Sequence, residues 1–213
     1  MAPMVRHRFR VEEVLALASL HPEAHLELLD GEVYEMAPPS SQHAGLLSAR
    51  TLVSQHGVPK LGLWKGFSGA PTAANAAVGY LDWLLHALAP KVQGLAQIRV
   101  QSPLYLSPHS LPLPDLLFLK PREDFYTQDH PRPKDVLLLV EVSLSTEAWD
   151  REKKLPLYAE AGVPEVWLLT HKALRVHRRP EGRVYGESFA VARGERVAPL
   201  LLPQAELLYH PPL

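Results

Sequence analysis

The sequence predicts a mixed α/β domain with an N-terminal helix and β-hairpin. Three observations predict it. The run VLLLVEV, residues 136–142, has almost no polar interruption and reads as a central strand buried on both faces. Segments of helical period alternate with short apolar runs along most of the chain. Asp30-Gly31, flanked by apolar runs within HLELLDGEVYEM (25–36), is a strong two-residue hairpin signal. With 213 residues, 46% of them hydrophobic, the chain can bury a core without staples. It is read as a single domain, 1–213.

The elements follow in order. Val11, Val14, Leu15 and Leu17 lie near helical spacing, and His21-Pro22 ends that helix because a residue before proline avoids the α region. APPSS (37–41) is a turn able to cap a helix over 42–56. Residues 57–74 hold four Gly and two Pro and read as a loop, and 75–89 as a better helix. A strand is expected over 97–106, with Pro103 marking an edge or bulge. A short strand follows at 115–119, then a polar, Pro-rich loop over 120–135. After the central strand come a helix at 147–161 and strands near 165–170, 173–178 and 183–190.

Composition removes several classes. With no cysteine there is no disulfide framework, thiolate zinc site or cysteine nucleophile. No stretch approaches the ~18 consecutive apolar residues of a membrane helix. The first residues lack a signal-peptide core, so the expected location is cytoplasmic. Lys and Arg number 22 against 23 Asp and Glu, so a nucleic-acid partner must be held by a local basic surface. The histidines show no HExxH spacing, and neither GxSxG nor a phosphate loop is present.

Glu141 is a carboxylate inside an otherwise apolar strand. That costs several kcal/mol unless the group is paired or neutralised. It reads as a metal ligand or catalytic acid, or else as half of an ion pair with a nearby Arg or Lys. Asp115 opens the short strand after Pro114. Magnesium takes one or two carboxylates plus water and phosphate oxygens, and two neighbouring strands offer one carboxylate each. The Val142 carbonyl is a further oxygen there. Taken alone, Asp115 reads first as a turn or strand-start residue, which Pro-Asp often is. Asp150, Lys154 and Tyr158 are spaced i, i+4, i+8, which puts them on one helix face. Lys154 on that face reads as an ammonium aimed at the site, or as half of a surface pair with Asp150. Arg175, Arg178 and Arg179, with His177 and Arg183, are phosphate-contact candidates; a solvated, charged hairpin edge explains them equally.

Asp115, then Glu141-Val142-Ser143, then Lys154 resembles the PD-(D/E)XK nuclease superfamily. More narrowly, the chain is similar to the Uma2 family of restriction endonucleases. The matching segments are ELLDGEVYEM (27–36), VQSPLYL (100–106), PLPDLLFLKPREDFY (112–126), HPRPKDVLLLVEVS (130–143) and DREKKLPLYAEAGVPEVWLL (150–169). The resemblance implies a restriction-endonuclease-like mixed sheet flanked by helices, in which Asp115 and Glu141 bind Mg²⁺, with Mn²⁺ as substitute. It implies metal-dependent hydrolysis of DNA; the alternative is an inactive nucleic-acid-binding or interaction module that retains the fold. A homodimer is compatible with the sequence, which does not set the oligomeric state. The usual superfamily lysine lies two residues after the glutamate, where this chain has Ser143; the family pattern moves it to the next helix, at Lys154. Glu27 and His43 match auxiliary polar positions, with Glu32 competing for the place of Glu27. The chain departs from the pattern over about 44–74, which reads as an insertion.

Overall fold

The computed structural model describes residues 7–36 and 73–212. His43, the helix expected over 42–56 and nearly all of the expected insertion at 44–74 lie outside them. A helix, α1 (Val11–Leu20), precedes the hairpin of β1 (His25–Leu29) and β2 (Glu32–Met36). Asp30 and Gly31 both take positive φ, 51° and 82°, as a tight hairpin turn requires. Val11 and Val14 bury α1 against Leu28 and Leu111. Paired backbone bonds between Leu28 and Leu111 fasten the hairpin to the segment just ahead of Asp115.

Helix α2 (Ala73–Leu88) leads to β3 (Gln97–Val100) and β4 (Leu116–Leu119). Next come β5 (Val136–Val142), a helical segment α3 (Glu147–Glu160), and β6 (Glu165–Leu169), β7 (Leu174–Glu181) and β8 (Val184–Val191). Strands β3 to β8 form one six-stranded sheet in sequence order, antiparallel except for the β5–β6 pair. A parallel pair needs a crossover, and α3 supplies it. β9 (Arg196–Val197) and β10 (Leu207–Leu208) form a separate pair. No described helix is long and apolar enough to cross a membrane.

Helices cover the sheet on both sides. Leu81, Leu84 and Leu88 of α2, at helical spacing, pack on the face that carries Phe118, Leu138, Val140 and Trp167. Tyr158 of α3 packs on the other face, with Leu117, Leu139, Val166 and Leu168. All seven residues of β5 are buried, as its run of apolar residues predicts.

Two elements depart from expectation. The strand expected over 97–106 stops at Val100, because Gln101 turns to φ 44° and leaves the ladder. Residues beyond it are tied instead to neighbouring loops: Leu104 N–H donates to Pro112 O and Tyr105 N–H to Pro131 O. Within α3, Glu147–Trp149 and Leu155–Glu160 are α-helical, but Asp150–Lys154 is a π-turn. Pro156 has no N–H for the carbonyl four residues back and its ring crowds that carbonyl, so the helix widens just before it.

His177 on β7 is half-buried and bonded to Ser188 Oγ at 2.8 Å. Burial, with Arg175 beside it, lowers its pKa to about 4. A depressed base favours folding above its unfolded pKa of about 6.5 and loses that contribution as pH falls through 4. The urea midpoint should therefore fall between pH 6.5 and 4, and less steeply in His177→Asn. Parallel pH profiles for the two proteins would remove His177 as a cause.

Candidate active site

The sheet register sets the site. β4 pairs with β5 antiparallel, Leu116 against Val140, so Asp115 falls opposite Glu141 one step further on. β3 pairs with β4 up to Val100 against Leu116, and the Gln101 N–H donates to Asp115 O at 3.0 Å, which sets Gln101 beside Asp115. Side chains alternate along strands, so Asp115 shares a face with Leu117 and Leu119, and Glu141 with Leu139. Gln101, Asp115 and Glu141 thus form one row across three strands, on the face that α3 covers, at the C-terminal end of β5.

The hydrogen bonds follow that row. Asp115 Oδ2 accepts the Val142 N–H at 2.8 Å, and Gln101 Nε2 lies 3.5 Å from Asp115 Oδ1. The Asp115 N–H reaches Glu141 Oε2 at 3.4 Å. Glu141 Oε1 accepts the Tyr158 hydroxyl at 2.5 Å and the Lys154 ammonium at 3.3 Å. Lys154 Nζ is also 2.8 Å from Glu27 Oε1 and 3.8 Å from Asp150 Oδ1. Glu27 Oε1 also accepts the Leu113 N–H, so the hairpin and the segment before Asp115 meet at Lys154.

These groups are buried. Glu27, Glu141, Asp150 and Lys154 are each 4% exposed or less, while Asp115 is partly open. The reading of Lys154 as half of a solvated surface pair is therefore corrected: α3 turns it inward, and Lys153 is the exposed lysine. Burial holds the Glu141 carboxyl well above its ordinary range despite Lys154, and the carboxylates of Asp150, Asp115 and Glu27 push the same way. Burial also raises Asp115, against the Val142 N–H. Burial alone would lower the Lys154 pKa, but Glu141, Glu27 and Asp150 together raise it. Three carboxylates, Glu27, Glu141 and Asp150, thus surround one ammonium, with Asp115 beside Glu141.

Among the described residues no three His, Asp or Glu side chains form a ready-made metal cage. Lys154 fills the space between Glu27, Glu141 and Asp150, so a cation here rests on two carboxylates. That donor set still fits magnesium, which takes one or two carboxylates and keeps several waters. Glu141 Oε2 and Asp115 Oδ1 each have only one long hydrogen bond. Gln101 Oε1 and Ser143 Oγ are buried with no hydrogen-bond partner. Both belong to this end of the sheet, Gln101 beside Asp115 and Ser143 two residues beyond Glu141, just past the end of β5.

The remaining candidates separate. Glu27 is at the site. Glu32, paired with Leu29 at the turn end of the hairpin, accepts the Tyr34 hydroxyl. Arg175 shares the carboxylates' face and row, since β7 pairs it with Leu168, which β6 pairs with Glu141; it lies 3.4 Å from Glu147. Arg178 points to the opposite face and is ion-paired at 2.9 Å with Glu165, which is fully buried. Its assignment as a phosphate contact is withdrawn on that ground. Arg179, on the exposed end of β7, lies 3.5 Å from Glu187. Tyr158 and Gln101 were absent from the expected site. Tyr158 had a signal, its i+4 spacing from Lys154. Gln101 had none, since its place depends on register.

A mixed sheet flanked by helices, with acidic residues side by side at the ends of two neighbouring strands, defines a restriction-endonuclease-like protein. Residues 64–209 match the model of the Uma2 family, described as putative restriction endonuclease, and the chain belongs to that family. No curated protein matches it.

Proposed function

We propose that the protein is a divalent-metal-dependent endonuclease that hydrolyses DNA phosphodiester bonds. The observation that carries this reading is the Asp115–Glu141 pair, set opposite each other at the ends of adjacent strands, with one oxygen of each left to a single long hydrogen bond. Asp115 and Glu141, with the Val142 carbonyl, are the groups to hold Mg²⁺ or Mn²⁺. A cation there supplies Lewis-acid polarisation of a phosphoryl oxygen and lowers the pKa of the attacking water. The chain's residues set the geometry. The Val142 N–H and Gln101 amide aim Asp115; Tyr158 and Lys154 grip one oxygen of Glu141 and leave the other toward Asp115. Lys154 acts here through Glu141, as a positioning residue that offsets charge. Family membership supports the reaction class, and the hard-oxygen donor set supports the metal.

The test is cleavage of plasmid and linear DNA with Mg²⁺ or Mn²⁺. Wild type should nick or cut, chelator should stop it, and Asp115→Asn should lower the rate by roughly a thousandfold, the scale of a lost metal ligand or charge stabiliser. Activity indifferent to Asp115→Asn would falsify the assignment. DNA binding without cleavage in any divalent metal would favour a non-enzymatic module.

Glu141→Gln separates ligand from structural partner. Burial already favours the protonated, neutral carboxyl, and glutamine imitates that form. The variant should therefore unfold within about 1 kcal/mol of wild type in chelator, yet show no Mn²⁺ heat in calorimetry. A stability loss of about 3 kcal/mol or more would mark Glu141 as mainly half of a structural ion pair.

A further inference from the structure

A cavity of about 660 Å³ opens beside the sheet edge, walled by α1 and the loop 120–132. Arg99, Tyr105, Phe125, His130 and Arg132 face it. Its position relative to the carboxylates follows from the sheet. Arg99 is two residues before Gln101 and pairs with Leu117, so it shares the face of Asp115. Two residues of strand span about 7 Å, the scale of one or two nucleotides along a polynucleotide.

The charges in this cavity are unevenly committed. Asp129 is held by Arg122 at 2.9 Å, and Glu12 lies against Arg10 at 3.5 Å. Neither Arg99 nor Arg132 has a carboxylate partner among the described residues. Arg99 donates only to the Tyr126 carbonyl, at 3.3 Å, and Arg132 stacks on the Tyr105 ring at 4.7 Å. Two guanidinium groups thus remain available to an anion. Burial and the charge of Arg99 lower the His130 pKa, so its imidazole is neutral at pH 7 and able both to donate and to accept.

The loop displays an aromatic ring at the same place. Phe125 is 68% exposed, with φ 50°, and Tyr126 follows with φ 56°. Consecutive non-glycine residues in the left-handed region persist only where their surroundings over-determine them. Here the Tyr126 hydroxyl donates to Lys120 O at 2.7 Å, Arg122 covers its ring at 4.4 Å, and Phe125 N–H donates to Arg122 O at 3.1 Å. The buried half of the turn is clamped, and the exposed half presents Phe125.

We infer that this cavity binds one unpaired nucleotide of the substrate strand next to the cut, its base on Phe125 and its flanking phosphates on Arg99 and Arg132. An aromatic face and unpaired arginines beside it are the two components that single-stranded nucleic acid requires. The inference rests on the nuclease reading for the direction of the strand, and on its own residues for the contact.

The experiment is fluorescence anisotropy of a short oligothymidylate with full-length protein in chelator, across a salt series. Wild type should bind it more tightly than a blunt hairpin duplex. Phe125→Ala should weaken binding about tenfold, and Phe125→Tyr should retain it. Arg99→Gln and Arg132→Gln should each reduce the slope of log affinity against log salt by about 0.7. No binding by wild type, equal binding of the duplex, unchanged affinity in Phe125→Ala, or unchanged slopes in both arginine variants would each overturn the inference. So would thymidine monophosphate matching the oligonucleotide, which would make the cavity a small-ester site. Metal-dependent cleavage that stops in Asp115→Asn while these arms fail would leave the nuclease reading standing without the pocket. Absent cleavage with these arms intact would leave the pocket standing as a strand-binding site.

Discussion

Lys154→Met is expected to destabilise the metal-free protein by about 3–5 kcal/mol at pH 8, the cost of leaving buried charge without its partner. Methionine keeps most of the volume, so the loss reports charge more than cavity. Lys154 is 2% exposed and faces Glu27, Glu141 and Asp150 within 3.8 Å. Removing it leaves those carboxylates facing one another. The melting temperature should fall by on the order of 10 °C for a chain of this size. The pH dependence gives a second readout. Without the ammonium the Glu141 carboxyl, already held above its unfolded value of about 4.3, rises further. A raised carboxyl leaves stability intact below the unfolded pKa and erodes it as pH rises through the folded one. The deficit of Lys154→Met against wild type should therefore shrink as pH falls from 8 toward 4. Lys153→Met, on the exposed face, should stay within about 0.5 kcal/mol of wild type. If Lys153→Met is the more damaging change, or if Lys154→Met melts like wild type at pH 8, the electrostatic role drawn for Lys154 is wrong.

The same residues show what local sequence can and cannot reveal. β5 was legible because seven consecutive buried positions need an apolar run, and Glu141 was visible as its lone carboxylate. The hairpin was legible because Asp30-Gly31 suits positive φ. Lys154 was separable from Lys153 because helical spacing puts it over Asp150 and Tyr158, even though a π-turn carries it. The end of β3 was not legible. Gln101 leaves the ladder through a left-handed φ that its side chain does not announce, and its neighbour Asp115 is 14 residues away. Glu27 was visible only through resemblance, since nothing local distinguishes it from Glu32. What does is the Leu28–Leu111 bridge, which sets the hairpin's position against residues near Asp115. Arg178 was misassigned for the opposite reason. Its neighbours on β7 form a basic cluster, but strand alternation and register turn it to the other face.

Arg178→Met is expected to cost about 3–5 kcal/mol as well, on the side of the sheet away from the carboxylate row. β6 and β7 place Glu165 directly opposite Arg178, and Glu165 is fully buried. Its Oε1 accepts the Arg178 Nε–H at 2.9 Å and the Trp167 indole N–H at 2.6 Å; its Oε2 accepts the Leu200 N–H. Arg178 also donates to the Ala198 carbonyl, so the pair ties the chain after β8 to the centre of the sheet. With the guanidinium gone, the carboxylate keeps only neutral donors in a dry site, and folding must desolvate it uncompensated. Glu165→Met should be similarly costly, because it leaves the Arg178 charge without its counter-ion and the Arg178 Nε–H and Trp167 N–H without their acceptor. The double variant Glu165→Met/Arg178→Met should recover much of the loss, since a buried pair replaced by apolar groups of similar volume is often neutral. Urea unfolding of the four proteins measures the coupling, which should be about 2 kcal/mol or more for groups in direct contact. Oligonucleotide affinity of the folded Arg178→Met protein should match wild type, because Arg178 lies on the other face from Arg99 and the Asp115–Glu141 pair. Additive losses in the cycle, or an affinity loss with unchanged stability, would return Arg178 to the phosphate contacts and undo its assignment as a structural partner of Glu165.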